Sequence, residues 1–90
     1  MKIQRNSMKI QRHIEYLRET IWRMEVERKT VDLLISKIRT ILPMDPDSPT
    51  FKEEWDKNSG EVIEYAKKLG IPNRALDLLE FFMEITSTGW

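Results

Sequence analysis

The feature that most constrains the fold is a row of apolar residues in the first half of the chain. Its members follow one another at alternating steps of four and three residues. Such spacing, held over several heptads, is typical of the seam of a left-handed coiled coil, whose period is about 3.5 residues. It predicts one long helix over about 7–41. The row consists of Ile10, Ile14, Leu17, Ile21, Met24, Arg28, Val31, Ile35, Ile38 and Leu42.

Proline and glycine divide the rest of the chain into two shorter helices. Three prolines between positions 43 and 49 predict a loop, because proline cannot continue a helix. Gly70 follows two lysines and a leucine, which is typical of a helix end. The last helix is apolar nearly all round, so we expect it to be the most buried one. The sequence therefore predicts an all-α fold of three helices, over about 7–41, 49–69 and 73–86.

The predicted first helix is too long for a single compact domain. About 34 helical residues span ~50 Å, whereas a compact chain of this length is roughly 30 Å across. The rod would carry its aliphatic seam into water, and self-association along the seam would cover it. We therefore expect a homodimer, intertwined or antiparallel. Its seam residues would be Ile14, Leu17, Ile21, Met24, Val31, Ile35 and Ile38.

Composition excludes several classes of chemistry. The 90 residues are 40% hydrophobic and 33% charged, with no cysteine and one histidine, His13. Disulfides, thiol catalysis and structural zinc sites lack the residues they need, so we expect no metal and no cofactor. No apolar run approaches the ~20 residues of a bilayer-spanning helix, and we expect no secretory signal. We expect a cytoplasmic protein with no membrane partner.

The formal net charge of zero is the sum of two halves of opposite sign. Residues 1–41 hold ten Lys and Arg against five Asp and Glu, and residues 42–90 hold the reverse. We expect the acidic helices to pack on the basic one, or the first helix to bind an anion. The first twelve residues contain four cations and no acid. We interpret 1–7 as a disordered basic arm and 8–90 as a single helical domain.

Arg28 is the one charged residue in the apolar row. A guanidinium that cannot deprotonate must be paired, reach the surface or face a bound anion. Three interpretations remain open: a register-fixing pair with a carboxylate such as Glu25, a pocket that binds carboxylate or phosphate, or a local error in the predicted helix. Three further cations flank Arg28 along the helix. The candidate anion-binding residues are Arg28, Arg39, Arg18 and Lys37.

Several short motifs resemble the all-helical chorismate mutases. They are Leu-Arg-Glu-Thr-Ile at 17–21, Glu-Arg-Lys at 27–29 with Arg39 eleven residues after Arg28, and Leu-Pro-Met-Asp-Pro at 42–46. The resemblance implies a long helix, a proline-containing loop and two shorter helices in an intertwined dimer. It also implies cations that clamp a small dicarboxylate for a pericyclic rearrangement without a cofactor. The family's Arg-Glu pair on helix two and its glutamine on the last helix have no counterpart.

Three functions follow from these patterns. The first is a small dimeric helical module that binds or assembles with a macromolecular partner, either a second copy or another protein. The second is a chorismate-mutase-like enzyme, or a binder derived from one, that takes a small dicarboxylate. The third is a nucleic-acid-associated regulator that uses the basic first helix. The sequence names no catalytic residue and leaves open whether the chain is an enzyme.

Overall fold

The described part of the chain folds into four helices. A computed structural model describes the backbone of residues 2–45 and 47–87, and the side chains from residue 10 onward within those ranges. The described part contains helices and no strand, so the predicted all-α class is confirmed, but the prediction of three helices was wrong. The helices are α1 (Lys2–Trp22), α2 (Arg28–Arg39), α3 (Phe51–Leu69) and α4 (Asn73–Thr86).

The predicted long helix is broken at 23–27. At the end of α1 the amide of Met24 donates to the carbonyl of Ile21 at 3.0 Å, which tightens the last turn. Glu25 then takes a left-handed backbone conformation, with φ of +63°, and the chain reverses. The reversal lets the apolar stripe of α1 pack on the stripe of α2 within one chain. Burying this surface internally outweighs the local preference for an unbroken helix.

Each helix packs against two others, and the four form a closed ring in chain order. Within the described ranges, α1 contacts α2 and α4, and α3 contacts the same two helices. Arg18 of α1 meets Asp32 of α2, while the earlier Glu15 meets the later Arg39, so these helices are antiparallel. Lys52 near the start of α3 bonds to Ser87 after the end of α4. The fold is therefore an up-down-up-down four-helix bundle.

The predicted dimer seam forms the interior of this bundle. Six of its seven residues are at most 4% exposed, and Met24 is half-buried. The longest dimension of the molecule is 38 Å rather than the ~50 Å expected of the predicted rod. Because no rod projects into water, covering the seam requires no intertwined or antiparallel dimer. The six buried residues are Ile14, Leu17, Ile21, Val31, Ile35 and Ile38.

The second half of the chain follows its sequence signals closely. Gly70 ends α3 in a left-handed conformation with φ of +75°, and its amide caps the helix by bonding to backbone carbonyls. Pro72 precedes α4 in an extended conformation. Trp55, the largest residue of the core, is fully buried, and its indole N–H donates to the carbonyl of Met83 at 3.1 Å. This bond fixes α3 against α4.

Candidate binding surfaces

Arg28 lies at the surface, because it is the first residue of α2 rather than the middle of a long helix. Its guanidinium carbon is 5.8 Å from the centroid of the Trp22 ring, within the range of a cation–π contact. No carboxylate among the described residues forms an ion pair with it. Arg28 therefore forms no register-fixing pair with a described carboxylate. The helix break before Arg28 agrees with the third interpretation, a local error in the predicted helix.

Arg18 and Arg39 join α1 to α2. The Nη2 of Arg18 lies 2.9 Å from a carboxylate oxygen of Asp32, and its Nε donates to the same oxygen at 3.1 Å. Arg39 lies 3.6 Å from Glu15, which also approaches Arg18 at 3.9 Å. These side chains are one-third to one-half exposed, so each pair contributes at most about 1 kcal/mol to stability. The carboxylates occupy donors that an anionic ligand would need.

Lys37 projects from the opposite side of α2. Its Nζ lies 5.8 Å from the centroid of the Tyr65 ring on α3, in an open groove of about 540 Å³. The groove is lined by lysines and glutamates in nearly equal number, which leaves it little net charge. The four predicted anion-binding cations therefore do not converge on one site. Two of them, Arg18 and Arg28, line a common cavity.

That common cavity is small. It measures about 70 Å³ and is bounded by Glu19, Trp22 and Val31 in addition to the two arginines. Ligand pockets in proteins usually measure about 300–1,000 Å³. The space holds a few water molecules at most, and an acidic side chain lies on its wall. Within one chain, this geometry gives little room for a small dicarboxylate.

Large apolar side chains are exposed on the face formed by α1 and α4. Tyr16 is 66% exposed, Phe81 60% and Ile85 41%. Tyr16 lies two positions before Arg18, which contacts α2, so it occupies the opposite flank of α1. Ile85 lies two positions before Ser87, which contacts α3, and Phe81 is one turn earlier. All three thus flank the junction of α1 with α4, and we call this surface the α1–α4 face.

This face was not predicted from the sequence. The last helix was expected to be the most buried, whereas Phe81 and Ile85 of α4 lie at the surface. α4 packs against both α1 and α3, and its apolar surface extends beyond these contacts to the exposed Phe81 and Ile85. Apolar residues nearly all round a helix predict burial, but their spacing does not show which of them the neighbouring helices leave exposed.

Charged residues of opposite sign border the two helices of the α1–α4 face. Arg12 lies on the outer side of α1 and Arg23 directly after its end, and Asp77 and Glu84 lie on the outer side of α4. All four side chains are exposed. Arg23 lies 3.7 Å from Glu19 within α1, whereas Arg12 and Glu84 form no ion pair among the described residues. Glu19 lies seven residues after Arg12 and therefore on the same side of α1, where it offsets Arg23, so the net charge of this edge comes from Arg12. The face thus has a basic edge at α1, an apolar centre and an acidic edge at α4.

Two predictions concern the beginning of the chain. The side chains of Lys2, Arg5 and Lys9 lie outside the described part, so the basic arm at 1–7 and its binding of nucleic acid stay predictions. His13 is half-buried, and its Nδ1 is enclosed without a hydrogen-bond partner among the described residues.

The described residues contain neither a membrane span nor a metal site. No helix there is both long and apolar enough to cross a bilayer, and no cluster of three metal-ligating side chains occurs. Compared with protein-family models, with curated proteins and with solved structures, the chain shows no match.

Proposed function

We propose that this chain is a small helical binding and assembly module that acts through the α1–α4 face on a protein partner. The observation that carries the proposal is the exposure of Tyr16 and Phe81, at 66% and 60%, on a bundle whose interior is already filled. Aromatic residues are enriched at protein interfaces, where they supply large contact areas at a small cost in conformational entropy.

The alternative of a dicarboxylate-binding enzyme has less support. Arg18 is bonded to Asp32, Arg39 is paired with Glu15, and the cavity that Arg18 and Arg28 share measures about 70 Å³. A pericyclic enzyme needs an enclosed site whose donors are free to stabilise charge in the transition state. The α1–α4 face, by contrast, is broad, exposed and apolar at its centre.

Site-specific photocrosslinking in the source cells tests the proposed function. A photoreactive phenylalanine analogue replaces Phe81 in one variant and the exposed Leu33 of α2 in a matched control. We expect position 81 to give protein adducts of defined mass, identified by mass spectrometry, because it lies at the centre of the proposed interface. Position 33 lies on another helix and should give none of these adducts.

Two results would overturn the proposal. One is the absence of any protein adduct at position 81 when the variant is folded and expressed at its normal level. The other is the same set of adducts from positions 81 and 33, which would indicate random encounters. As a further control, Tyr16→Ser should reduce the adducts formed at position 81, because Tyr16 belongs to the same face.

A further inference from the structure

The α1–α4 face is self-complementary in charge. Its basic edge belongs to α1 and its acidic edge to α4, with the exposed aromatic residues between them. Two copies that pack face to face are related by a two-fold axis lying between them, and each contact then occurs twice, as in an isologous dimer. The direction of this axis decides which edges meet.

The charges favour an axis parallel to the helices. Rotation about such an axis exchanges the two edges, so the basic edge of one copy lies on the acidic edge of the other. Rotation about an axis across the helices would instead place α1 on α1 and α4 on α4. Arg12 would then meet Glu19, which is already paired with Arg23. Glu84 would meet Asp77 of the other copy. Like charges brought together at an interface oppose association. The favoured dimer therefore has the α1 helix of each copy against the α4 helix of the other.

The positions of individual residues along the bundle axis, which we call their levels, follow from the antiparallel arrangement of α1 and α4. Arg23 at the end of α1 and Arg74 at the start of α4 line one groove of about 400 Å³, so they lie at the same level. Tyr16 and Phe81 lie seven residues from these arginines, about 10 Å further along the bundle in the same direction. The two exposed aromatic side chains are therefore level with each other and mark the centre of the face.

One specific pair of charges lies at a common level on the two edges. Arg12 precedes Tyr16 by four residues, which places it about 6 Å from the centre. Glu84 follows Phe81 by three residues, about 5 Å from the centre, and lies in the same direction because α4 runs antiparallel to α1. An axis parallel to the helices preserves these levels, so Arg12 of one copy faces Glu84 of the other.

From this arrangement we infer that the occupant of the α1–α4 face is a second copy of the chain, held by reciprocal Arg12–Glu84 pairs around a Tyr16–Phe81 centre. The inference rests on the proposed function and names its partner. Arg12 and Glu84 are both exposed, and neither forms an ion pair with another described residue, so both are available to the second copy. Opposite charges at the rim of an apolar patch fix register and exclude wrong partners.

The other end of the face adds little net attraction. Arg23 and Glu19 are paired there at 3.7 Å, so the basic edge has little net charge at this end. They would meet Asp77 and Arg74 of the second copy, whose charges also offset each other. The Arg12–Glu84 pairs are therefore the charges to test.

Charge reversal followed by mixing tests the inference. Arg12→Glu alone places two like-charge pairs in the dimer, and so does Glu84→Arg alone. We expect each variant to self-associate roughly tenfold or more weakly than the parent chain, measured by sedimentation over a concentration series. An equimolar mixture of the two should recover association, because the introduced carboxylate at position 12 faces the introduced guanidinium at position 84. The second pair of that mixed dimer keeps the parent residues.

Two matched controls accompany the mixing experiment. Arg12→Glu mixed with Asp77→Arg should not recover, because position 77 lies at the other end of the acidic edge. Lys57→Glu and Glu61→Lys change exposed residues of α3 outside the α1–α4 face, and we expect them to associate like the parent chain. Circular dichroism confirms that each variant is folded, and raising the salt concentration should weaken the parent dimer.

The possible outcomes separate this inference from the proposed function. A parent chain that stays monomeric at all concentrations, or a mixture of Arg12→Glu with Glu84→Arg that does not recover, overturns the second copy as occupant. If position 81 still crosslinks to a different protein, the binding function survives with another partner. If position 81 forms no protein adduct either, both proposals fail. Recovery in the mixture supports both.

Discussion

Ser59 is a buried hydroxyl without a hydrogen-bond partner among the described residues. It is 9% exposed on the inner side of α3, and its Oγ is enclosed and unbonded. An enclosed polar atom that has lost water and gained no partner destabilises the native state by about 1–3 kcal/mol. The Nδ1 of His13 on α1 is likewise enclosed and has no hydrogen-bond partner among the described residues. At both atoms the free energy of unfolding is lower than it would be if the polar atom had a hydrogen-bond partner.

Removing the Ser59 hydroxyl should stabilise the fold. We expect Ser59→Ala to raise the free energy of unfolding by about 1 kcal/mol more than Ser36→Ala does. Ser36 lies on the exposed side of α2, where the same change stabilises only through the higher helix propensity of alanine. Urea denaturation followed by circular dichroism measures both. Equal effects at the two sites would show that the Ser59 hydroxyl has a partner in solution.

At the scale of the element, two glycines of the α3 region have opposite roles. Gly70 ends the helix with φ of +75°, a conformation that residues with a Cβ rarely adopt. Gly60 lies within the helix at the surface, and a Cβ added there meets nothing within 4 Å. The same residue type therefore terminates the helix at one position and weakens it at the other.

Alanine substitution should separate these roles by the sign of its effect. We expect Gly70→Ala to lower the free energy of unfolding by about 1 kcal/mol, because the left-handed conformation becomes strained. Gly60→Ala should raise it by about 0.5–1 kcal/mol, because alanine is the better helix former. Thermal unfolding of the two variants side by side measures the difference. A loss of stability in both would place Gly60 in a contact that the structure does not contain.

The turn between α1 and α2 is the element that the sequence did not reveal. Its residues, 23–27, include neither glycine nor proline, and the apolar spacing of α1 continues across it into α2. Local signals thus favour an unbroken helix, and the break follows from packing between distant parts of the chain. The end of α3 and the start of α4 were predictable because Gly70 and Pro72 encode them locally. Contacts between distant parts of the chain have no such local signal in the sequence.

Glu25 offers a test of how the turn is stabilised. A residue with a Cβ in the left-handed region is strained by about 1–2 kcal/mol, and glycine relieves this strain. After allowing for the greater freedom of glycine in the unfolded chain, we expect Glu25→Gly to stabilise the fold by roughly 0.5–1 kcal/mol in urea denaturation. Glu61→Gly, inside α3, is the control and should destabilise by about 1 kcal/mol. Destabilisation by Glu25→Gly as well would mean that the turn is not left-handed in solution.

At the scale of the whole molecule, the chain reversal between α1 and α2 decides which apolar and charged residues reach the surface. With three helices, the aliphatic row required a partner and Arg28 stood within it. With four helices, the row is the core, Arg28 contacts Trp22 at the surface, and the exposed aromatic residues lie elsewhere. The spacing of apolar residues predicts which residues share one face of a helix. It does not predict whether that face is buried or exposed, because burial depends on where the chain reverses.

The closed ring of helices also orders the events of folding. Three of its four contacts join helices that are neighbours in the chain, and only the contact of α1 with α4 joins the first helix to the last among the described elements. Neighbouring helices close short loops and assemble fast, whereas the contact between the first and last helices bears the largest loop-closure entropy. A chain that has formed only its hairpins does not yet present Tyr16 beside Phe81. The proposed recognition through this face would therefore require the completed bundle, because the face does not exist before α1 and α4 have met.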